Sequence, residues 1–200
     1  MKRVELKPLA LAILLFALPS MVFATEWQID PAHTNVQFSV RHMMISNVRG
    51  DFNKVSGRVT SEGQNPATIE IEATIDASSI DTRVEMRDKD LKSPNFLDVE
   101  KYPTIEFKSK KIEANGTGKW KLTGDLTLHG VTKEVVLDVE GPTPAVKDPM
   151  GNTRVGATAT TTLSRKDFGL NWNKALEAGG VIVGDDVQIT IDVEAVQKKS

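Results

Sequence analysis

Apolar and polar residues alternate with a period of two through most of the chain beyond residue 25, and this feature constrains the fold most. Such alternation is typical of β-strands that bury one face and leave the other in water. It is clearest at residues 35–41, 68–75, 105–110, 120–128, 131–139, 155–163 and 187–195. A further strand or bent pair is expected between Val48 and Thr60, around Gly50 and Gly57. The pattern predicts an all-β fold of about eight antiparallel strands.

Turn sequences separate these runs and indicate short antiparallel connections. His129-Gly130 has the spacing of a tight hairpin, Asn115-Gly116 indicates a second turn, and residues 148–152 are typical of a loop. A single open sheet of this size would expose its edge strands, whereas a barrel or a two-sheet sandwich removes or protects them. The sequence therefore predicts a barrel or a sandwich.

Two short segments have helical patterns. Thr82–Glu85 is a capping-box sequence that begins a helix running through Leu91 and ending before Pro94. Residues 172–178, ended by Gly179-Gly180, are the second segment. Because residues 76–103 are too many for a hairpin loop, we expect a helix-bearing crossing over one end of a barrel.

The first 24 residues have the order of a secretory signal peptide. Basic residues up to Lys7 precede an apolar run at Leu9–Leu18, and small residues precede a cleavage site after Ala24. The apolar run is too short to span a bilayer. We therefore expect residues 25–200 to form one exported domain outside the cytoplasm.

Composition and motifs exclude several functions. The absence of cysteine excludes disulfides and thiolate metal sites. The formal net charge of −2 lacks the basic excess of a nucleic-acid-binding domain, so no nucleic acid partner is expected. His33, His42 and His129 do not have metal-ligand spacing, and no nucleophile elbow or phosphate loop occurs. We expect no catalytic site, metal or cofactor; an enzyme that uses Asp90 or His42 on an apolar substrate is the alternative.

Several positions predicted to face inward carry small residues, namely Ala73, Ser109, Gly124, Ala157, Ala159 and Thr161. An eight-stranded barrel is either filled by side chains or able to hold one small ligand. The small residues are consistent with a cavity and equally with a filled, tapering interior. An outer-membrane barrel would carry aromatic girdles at both interfaces, and a chain with one tyrosine and three tryptophans does not favour it.

A set of motifs occurs in a fixed order between residues 27 and 169. They are Trp27-Gln28-Ile29-Asp30 with His33, Val36-x-Phe38-x-Val40-x-His42, Gly50-x-Phe52, Ser79–Thr82, Arg87–Ser93, Phe96, Lys101-Tyr102-Pro103, Gly124–Lys133 and Arg165–Gly169. Together they resemble the YceI family of bacterial periplasmic proteins.

The resemblance implies an eight-stranded antiparallel lipocalin-like β-barrel whose long cavity binds a polyisoprenoid chain, such as a quinone tail or a prenyl carrier. It implies binding rather than catalysis. Where many relatives have histidine before leucine in an Arg-Asp-x-His-Leu segment, this chain has Asp90. If that histidine receives a ligand head group, the head-group preference of this chain is left open, while tail binding is unaffected.

For the ligand-binding wall we predict Phe38, Val40, Ile71, Ile75, Phe107, Leu122, Leu126, Val135, Leu137, Phe168 and Trp172. Arg83, Arg87 and His42 are candidates for a polar mouth, although solvated surface is the simpler interpretation of each. The expected role is a periplasmic carrier or store of an isoprenoid lipid. Transient contact with a membrane or a b-type cytochrome is implied by analogy with relatives. A ligand-free, stress-related structural module is the further alternative, and the oligomeric state, including a dimer, is left open.

Overall fold

The structure, a computed structural model, describes residues 24–62, 68–177 and 179–199. The predicted signal peptide lies outside these residues except for Ala24, so its cleavage stays a prediction. The strands are β1 (Ala24–Ile29), β2 (Asn35–His42), β3 (Ser46–Phe52), β4 (Val55–Glu62), β5 (Glu70–Asp76), β6 (Ile80–Asp81), β7 (Thr104–Ala114), β8 (Lys119–Leu128), β9 (Val131–Glu140), β10 (Val146–Lys147), β11 (Thr153–Ser164) and β12 (Val183–Gln197). The helix α1 spans Glu85–Lys92, and short 3-10 turns lie at Ala77–Ser79 and Arg165–Phe168. Within these ranges, no helix has the length and apolar character needed to cross a membrane.

The strands form one antiparallel sheet that closes into a barrel. The long strand β12 closes the ring because it pairs with β11 along one edge and with β1 and then β2 along the other. The pairs Ile29↔Ala195 and Asn35↔Asp192 show that β1 and β2 form one interrupted barrel strand. Pro31 lies in the interruption. Because proline has no backbone N–H, it cannot donate a hydrogen bond to a neighbouring strand.

Two further barrel strands are interrupted in the same way. β4 pairs with β1 and β3 pairs with β2, so β3 and β4 follow each other along one barrel strand. β5 and β6 pair with β4 and β3 and form the next. With β7, β8, β9, β11 and β12, the ring has eight antiparallel barrel strands. The predicted eight-stranded barrel is confirmed, and the sandwich is excluded.

The two ends of the barrel differ in their connections. One end, which we name the helix end, carries α1, the β2–β3 turn, the β8–β9 turn and residues 165–182. The opposite end carries the start of β1, the end of β12 and the loop at residues 148–152. His129 (φ 52°) and Gly130 (φ 73°) are both left-handed, as a two-residue hairpin turn requires, so the predicted tight turn is confirmed.

The helix α1 forms where the sequence predicts it, but the capping box does not. Val84 is the N-cap residue and makes no side-chain cap hydrogen bond. The buried Thr82 instead donates from its backbone N–H and its Oγ1 to Asp88 Oδ1, at 2.8 and 2.5 Å. Arg87 donates to Thr82 Oγ1 at 2.7 Å. Thr82 therefore fastens the side of α1 to the barrel rather than capping its first turn.

The prediction of a second helix at residues 172–178 is wrong. Residues 172–177 are irregular, and Ala175 forms an isolated β-bridge with Val181; Ala178 lies outside the described residues. The side chain of Arg165 donates to Trp172 O at 2.9 Å and so takes a carbonyl that a helix would use. A helix of this length is marginal without tertiary support, and here the tertiary contacts stabilise a folded-back loop.

Buried apolar residues form two clusters inside the ring. The larger lies towards the helix end and contains Val36, Phe52, Val55, Ala77, Ile80, Leu97, Ile105 and Leu170. The smaller contains Leu122, Leu137 and Ala159. Between and beside these two clusters, the barrel interior contains space that side chains do not fill.

Candidate functional site

An apolar cavity with a volume of about 320 Å³ occupies the barrel interior. Every barrel strand contributes to its wall through alternate side chains, from Phe38 on β2 round to Ile191 on β12. The crossing between β6 and β7 adds Leu91, Phe96 and Leu97 at the helix end. The interior is therefore a cavity, and a barrel filled by its own side chains is excluded.

Ten of the eleven residues predicted for the wall lie on it. They are Phe38, Val40, Ile71, Ile75, Phe107, Leu122, Leu126, Val135, Leu137 and Phe168. Their contact with a ligand stays a prediction. The wall also contains Val187, Ile189 and Ile191 of β12, which the prediction missed although the same alternation marks them.

Trp172 is not on the wall. Its side chain is 37% exposed, and its ring centroid lies 5.2 Å from that of Phe96, which does line the cavity. Strand alternation does not extend into the irregular segment that carries Trp172. The residue therefore packs behind the wall at the helix end.

Small residues contribute to the wall in two ways. Ala73, Ala157 and Ala159 lie on it directly and leave space for an occupant, as does Thr161. Gly124 instead lies beneath the ring of Phe107: a Cβ at position 124 would stand 2.4 Å from Phe107 Cζ. Ser109, also predicted to face inward, is not on the wall; it lies at an irregularity in β7, where its Oγ accepts a hydrogen bond from Ile71 N–H at 2.8 Å.

The polar groups on the wall are bound to the main chain. Thr161 Oγ1 donates to Val136 O at 2.8 Å, and Thr34 Oγ1 donates to Glu194 O at 3.4 Å. Because these hydroxyls already have backbone partners, the wall presents an apolar surface to an occupant.

Among the residues that the structure describes, Arg165 is the one charged residue of the wall, and the sequence analysis did not predict it there. It is 5% exposed, and its guanidinium donates to the carbonyls of Leu170, Trp172 and Gly184, the last at 2.9 Å. Burial lowers its pKa, and the charge of Asp185 opposes that shift. The guanidinium thus holds residues 170–172 and Gly184 together at the helix end of the cavity.

The candidates for a polar mouth or a catalytic group all lie off the wall. Arg83 is exposed, and Arg87 bonds Thr82. His42 is the last residue of β2 and pairs with Ser46 and Val183. Asp90 Oδ1 accepts from Asn95 Nδ2 at 3.1 Å and so supports the end of α1. In the part of the chain that the structure describes, no hydrogen bond or ion pair joins any two of these side chains.

A charged cluster lies at the opposite end of the barrel. Carboxylate oxygens of Asp30 and Glu194 and a nitrogen of His33 lie within 4.8 Å of one another, a spacing that could hold a metal ion. Arg154 already occupies this cluster, with Nη1 at 2.6 Å from Asp30 Oδ2 and 2.5 Å from Glu194 Oε1. Its hydrogen bond, followed by that of His33, lowers the pKa of Asp30 from 3.8 to about 2. The cluster is therefore a structural ion-pair network whose cation is the guanidinium.

Comparisons with known proteins agree with this architecture. Residues 27–195 match the YceI-like domain family. A UPF0312 protein of Staphylococcus aureus strain N315 is 37% identical over 171 residues, which cover 85% of this chain and 96% of that protein. The crystal structure of the Campylobacter jejuni YceI protein has a TM-score of 0.67 at 31% identity, covering 79% of this chain and 90% of that one.

A more distant neighbour is a polyisoprenoid binding domain from Saccharophagus degradans. Its TM-score is 0.63 at 13% identity, and the match covers 86% of this chain and 98% of that one. This likeness shows a shared fold. The family match covers most of the barrel, and the chain belongs to the YceI-like family.

Proposed function

We propose that this protein is a periplasmic carrier that holds the tail of an isoprenoid lipid inside its barrel. The apolar cavity carries the proposal, because its wall is continuous from Ile29 and Val193 near one end to Phe96 and Val183 near the other. The polyisoprenoid binding domain of Saccharophagus degradans has the same fold, which supports an isoprenoid as the occupant. The proposed cargo is a quinone tail or a polyprenyl chain, exchanged with a membrane or a b-type cytochrome.

Apolar burial accounts for the binding energy. Each methylene-sized group removed from water contributes about 0.8 kcal/mol. Ordering a flexible tail opposes this, at about 0.5–1.5 kcal/mol for each immobilised segment as flexible as a long side chain. Because Thr34, Thr161 and Arg165, the polar residues of the described wall, all have hydrogen-bond partners, we expect affinity to depend on the tail more than on the head.

The positions of Asp90 and His42 favour binding over catalysis. Asp90 supports the last turn of α1, and His42 ends β2 outside the wall. An acid or base must come within hydrogen-bond reach of the reacting group, and neither residue lines the cavity.

The first test is to identify the natural cargo. The chain is expressed with its own N-terminal segment, purified without detergent and extracted with organic solvent, and the extract is analysed by mass spectrometry. A prenyl lipid in a ratio near one per chain is expected. Protein that yields no lipid and also fails to bind added prenyl alcohols would contradict the proposal. Turnover of a prenyl ester that is lost in Asp90→Asn would support the enzyme instead.

A further inference from the structure

The turn between β2 and β3 presents apolar side chains to solvent. We name its residues Met43, Met44 and Ile45 the tip; they are 40%, 52% and 75% exposed. The helix end also exposes Val84 and Met86, together with Trp172. In the part of the chain that the structure describes, this end carries most of the large apolar side chains that are exposed.

The backbone of the tip is not one that methionine favours. Met43 has φ 49° and Met44 has φ 61°, and Ile45 N–H donates to His42 O at 3.1 Å. The two positive φ values and this hydrogen bond lie within a three-residue loop, because His42 pairs with Ser46; Asn and Gly adopt positive φ more readily than residues with larger side chains. Two methionines make a poorer turn than Asn-Gly would. Turn formation therefore does not explain these residues.

Unpaired basic residues flank the tip. Arg41 and Arg49 lie on β2 and β3, and no acidic residue occurs from Thr34 to Gly50. Arg41 donates to Met44 O at 2.8 Å and to Asn47 Oδ1 at 3.3 Å, and neither arginine has an ion pair with any residue described in the structure.

Basic residues on the side of the barrel are arranged differently. Lys110 pairs with Asp125 and Lys121 pairs with Asp138, each at 2.5 Å. Their charge is neutralised locally, whereas Asp185, which follows the contact of Gly184 with Arg41, already pairs with Arg165 and Lys166. The surface around the tip is therefore apolar at its centre and has Arg41 and Arg49 beside it, without ion partners among the residues that the structure describes.

The tip is continuous with the cavity wall. Val40, three residues before the tip, lines the cavity. Val183 also lines it and pairs with His42, and Met43 N–H donates to Ile182 O at 2.7 Å. A surface bound at the tip would thus adjoin the Val40–Val183 part of the wall.

We propose that the tip docks the helix end of the barrel onto a bilayer that contains anionic phospholipid. Exposed apolar side chains next to unpaired arginines are the combination that binds an anionic membrane surface, by burial among acyl chains and attraction to headgroups. The tip side chains enter the interface, while Arg41 and Arg49 contact phosphate groups. The biological role of docking rests on the proposed function, because docking would bring the cavity next to the bilayer in which an isoprenoid dissolves. Docking itself is measurable without any isoprenoid.

Vesicle flotation tests the proposal. The protein is mixed with vesicles of phosphatidylglycerol and phosphatidylethanolamine in equal parts, or of phosphatidylcholine alone. We expect it to float with the anionic vesicles, and the floating fraction to fall as salt is added. The tip variant Met43→Asn/Met44→Gly should float at least about fivefold less. Its melting temperature should not fall, because Asn and Gly adopt positive φ more readily than Met.

Two controls keep the test specific. Met150 is 76% exposed at the opposite end of the barrel, so Met150→Asn should float like wild type. Ile45→Ser, outside the two positions of positive φ, should reduce flotation even if the double variant folds poorly. A folded tip variant that floats like wild type would overturn the proposal, as would an equal loss in Met150→Asn. Wild-type protein that binds neither vesicle would overturn it too and would indicate a protein contact at the tip.

The two proposals fail in distinguishable ways. Uptake of a short prenyl alcohol is measured in solution without vesicles. A tip variant that takes up the alcohol but no longer floats supports docking. Wild-type protein that floats through its tip but takes up no prenyl alcohol also supports docking, while contradicting the proposed cargo.

Discussion

Ala159 is the residue at which the cavity is most simply filled. It lies on the wall between Val139 and Ile191 and is 8% exposed. Ala159→Phe should place its ring in the cavity, which has room for it. The free energy of unfolding should therefore change by less than the roughly 1–3 kcal/mol that a small-to-large substitution costs in a filled core. Prenyl-alcohol affinity, measured by fluorescence displacement, should fall at least about tenfold.

The neighbouring Thr160 supplies the control for this change. It is exposed and opposite Thr190 on the outer face of the same strands. Thr160→Phe should leave prenyl-alcohol affinity at the wild-type value. Equal affinity in a folded Ala159→Phe protein would show that the ligand lies elsewhere.

Asp30 makes stability depend on pH. Its pKa is lowered from 3.8 to about 2, first by Arg154 and then by His33. A lowered pKa in the folded state stabilises the protein above the unfolded value, and this contribution is lost as pH falls from about 4 towards 2. Asp30→Asn should therefore lower the urea midpoint at pH 7, and its difference from wild type should shrink over that interval.

An exposed carboxylate gives the comparison for Asp30. Asp138 pairs with Lys121 on the side of the barrel. Surface pairs of this kind contribute little, so Asp138→Asn should change the urea midpoint only slightly at pH 7. A deficit in Asp30→Asn that is the same at pH 2 and pH 7 would refute the assignment.

At the scale of elements, Arg165 decides the course of the segment that follows β11. The guanidinium of Arg165 donates hydrogen bonds to the carbonyls of Leu170, Trp172 and Gly184. Removing the guanidinium would leave these carbonyls without those hydrogen bonds. Arg165→Met should lower the free energy of unfolding by about 3 kcal/mol. Hydrogen exchange of residues 170–177 should also become faster, because the segment loses its anchor.

Lys166 is the matched control for Arg165. It is adjacent in sequence but exposed, and it pairs with Asp185 at 2.7 Å. Lys166→Met should have little effect on unfolding or exchange. If both variants lost similar amounts of unfolding free energy, the loss would come from removing a positive charge and not from breaking the buried hydrogen bonds of Arg165.

Elements with local signals were predictable, and those set by distant partners were not. The alternation at residues 120–128 reports directly which side chains face inward, so β8 and its wall residues Leu122 and Leu126 were predictable. The course of residues 172–177 was not, because it depends on hydrogen bonds from Arg165. In the same way, pairing of Arg154 with Asp30 joins residues far apart in sequence, and no local pattern marks it.

For the whole molecule, closure by β12 explains both the cavity and its dimensions. Eight strands leave an interior that side chains fill only if they are large, and Ala73, Ala157 and Ala159 are small. The wall residues of β12 run from Val183 to Val193. At about 3.3 Å per residue and a tilt of about 40°, this part of the wall is roughly 25 Å long.

This length predicts how affinity varies with the cargo. An isoprene unit has five carbons, so its burial contributes roughly 4 kcal/mol, and ordering its bonds offsets much of that. We expect each added unit to tighten binding about tenfold until the tail exceeds the cavity, after which affinity should level off. Titration calorimetry with prenyl alcohols of increasing length, and with the corresponding diphosphates, measures this. Affinity set by the diphosphate and independent of tail length would contradict a wall that binds through apolar burial.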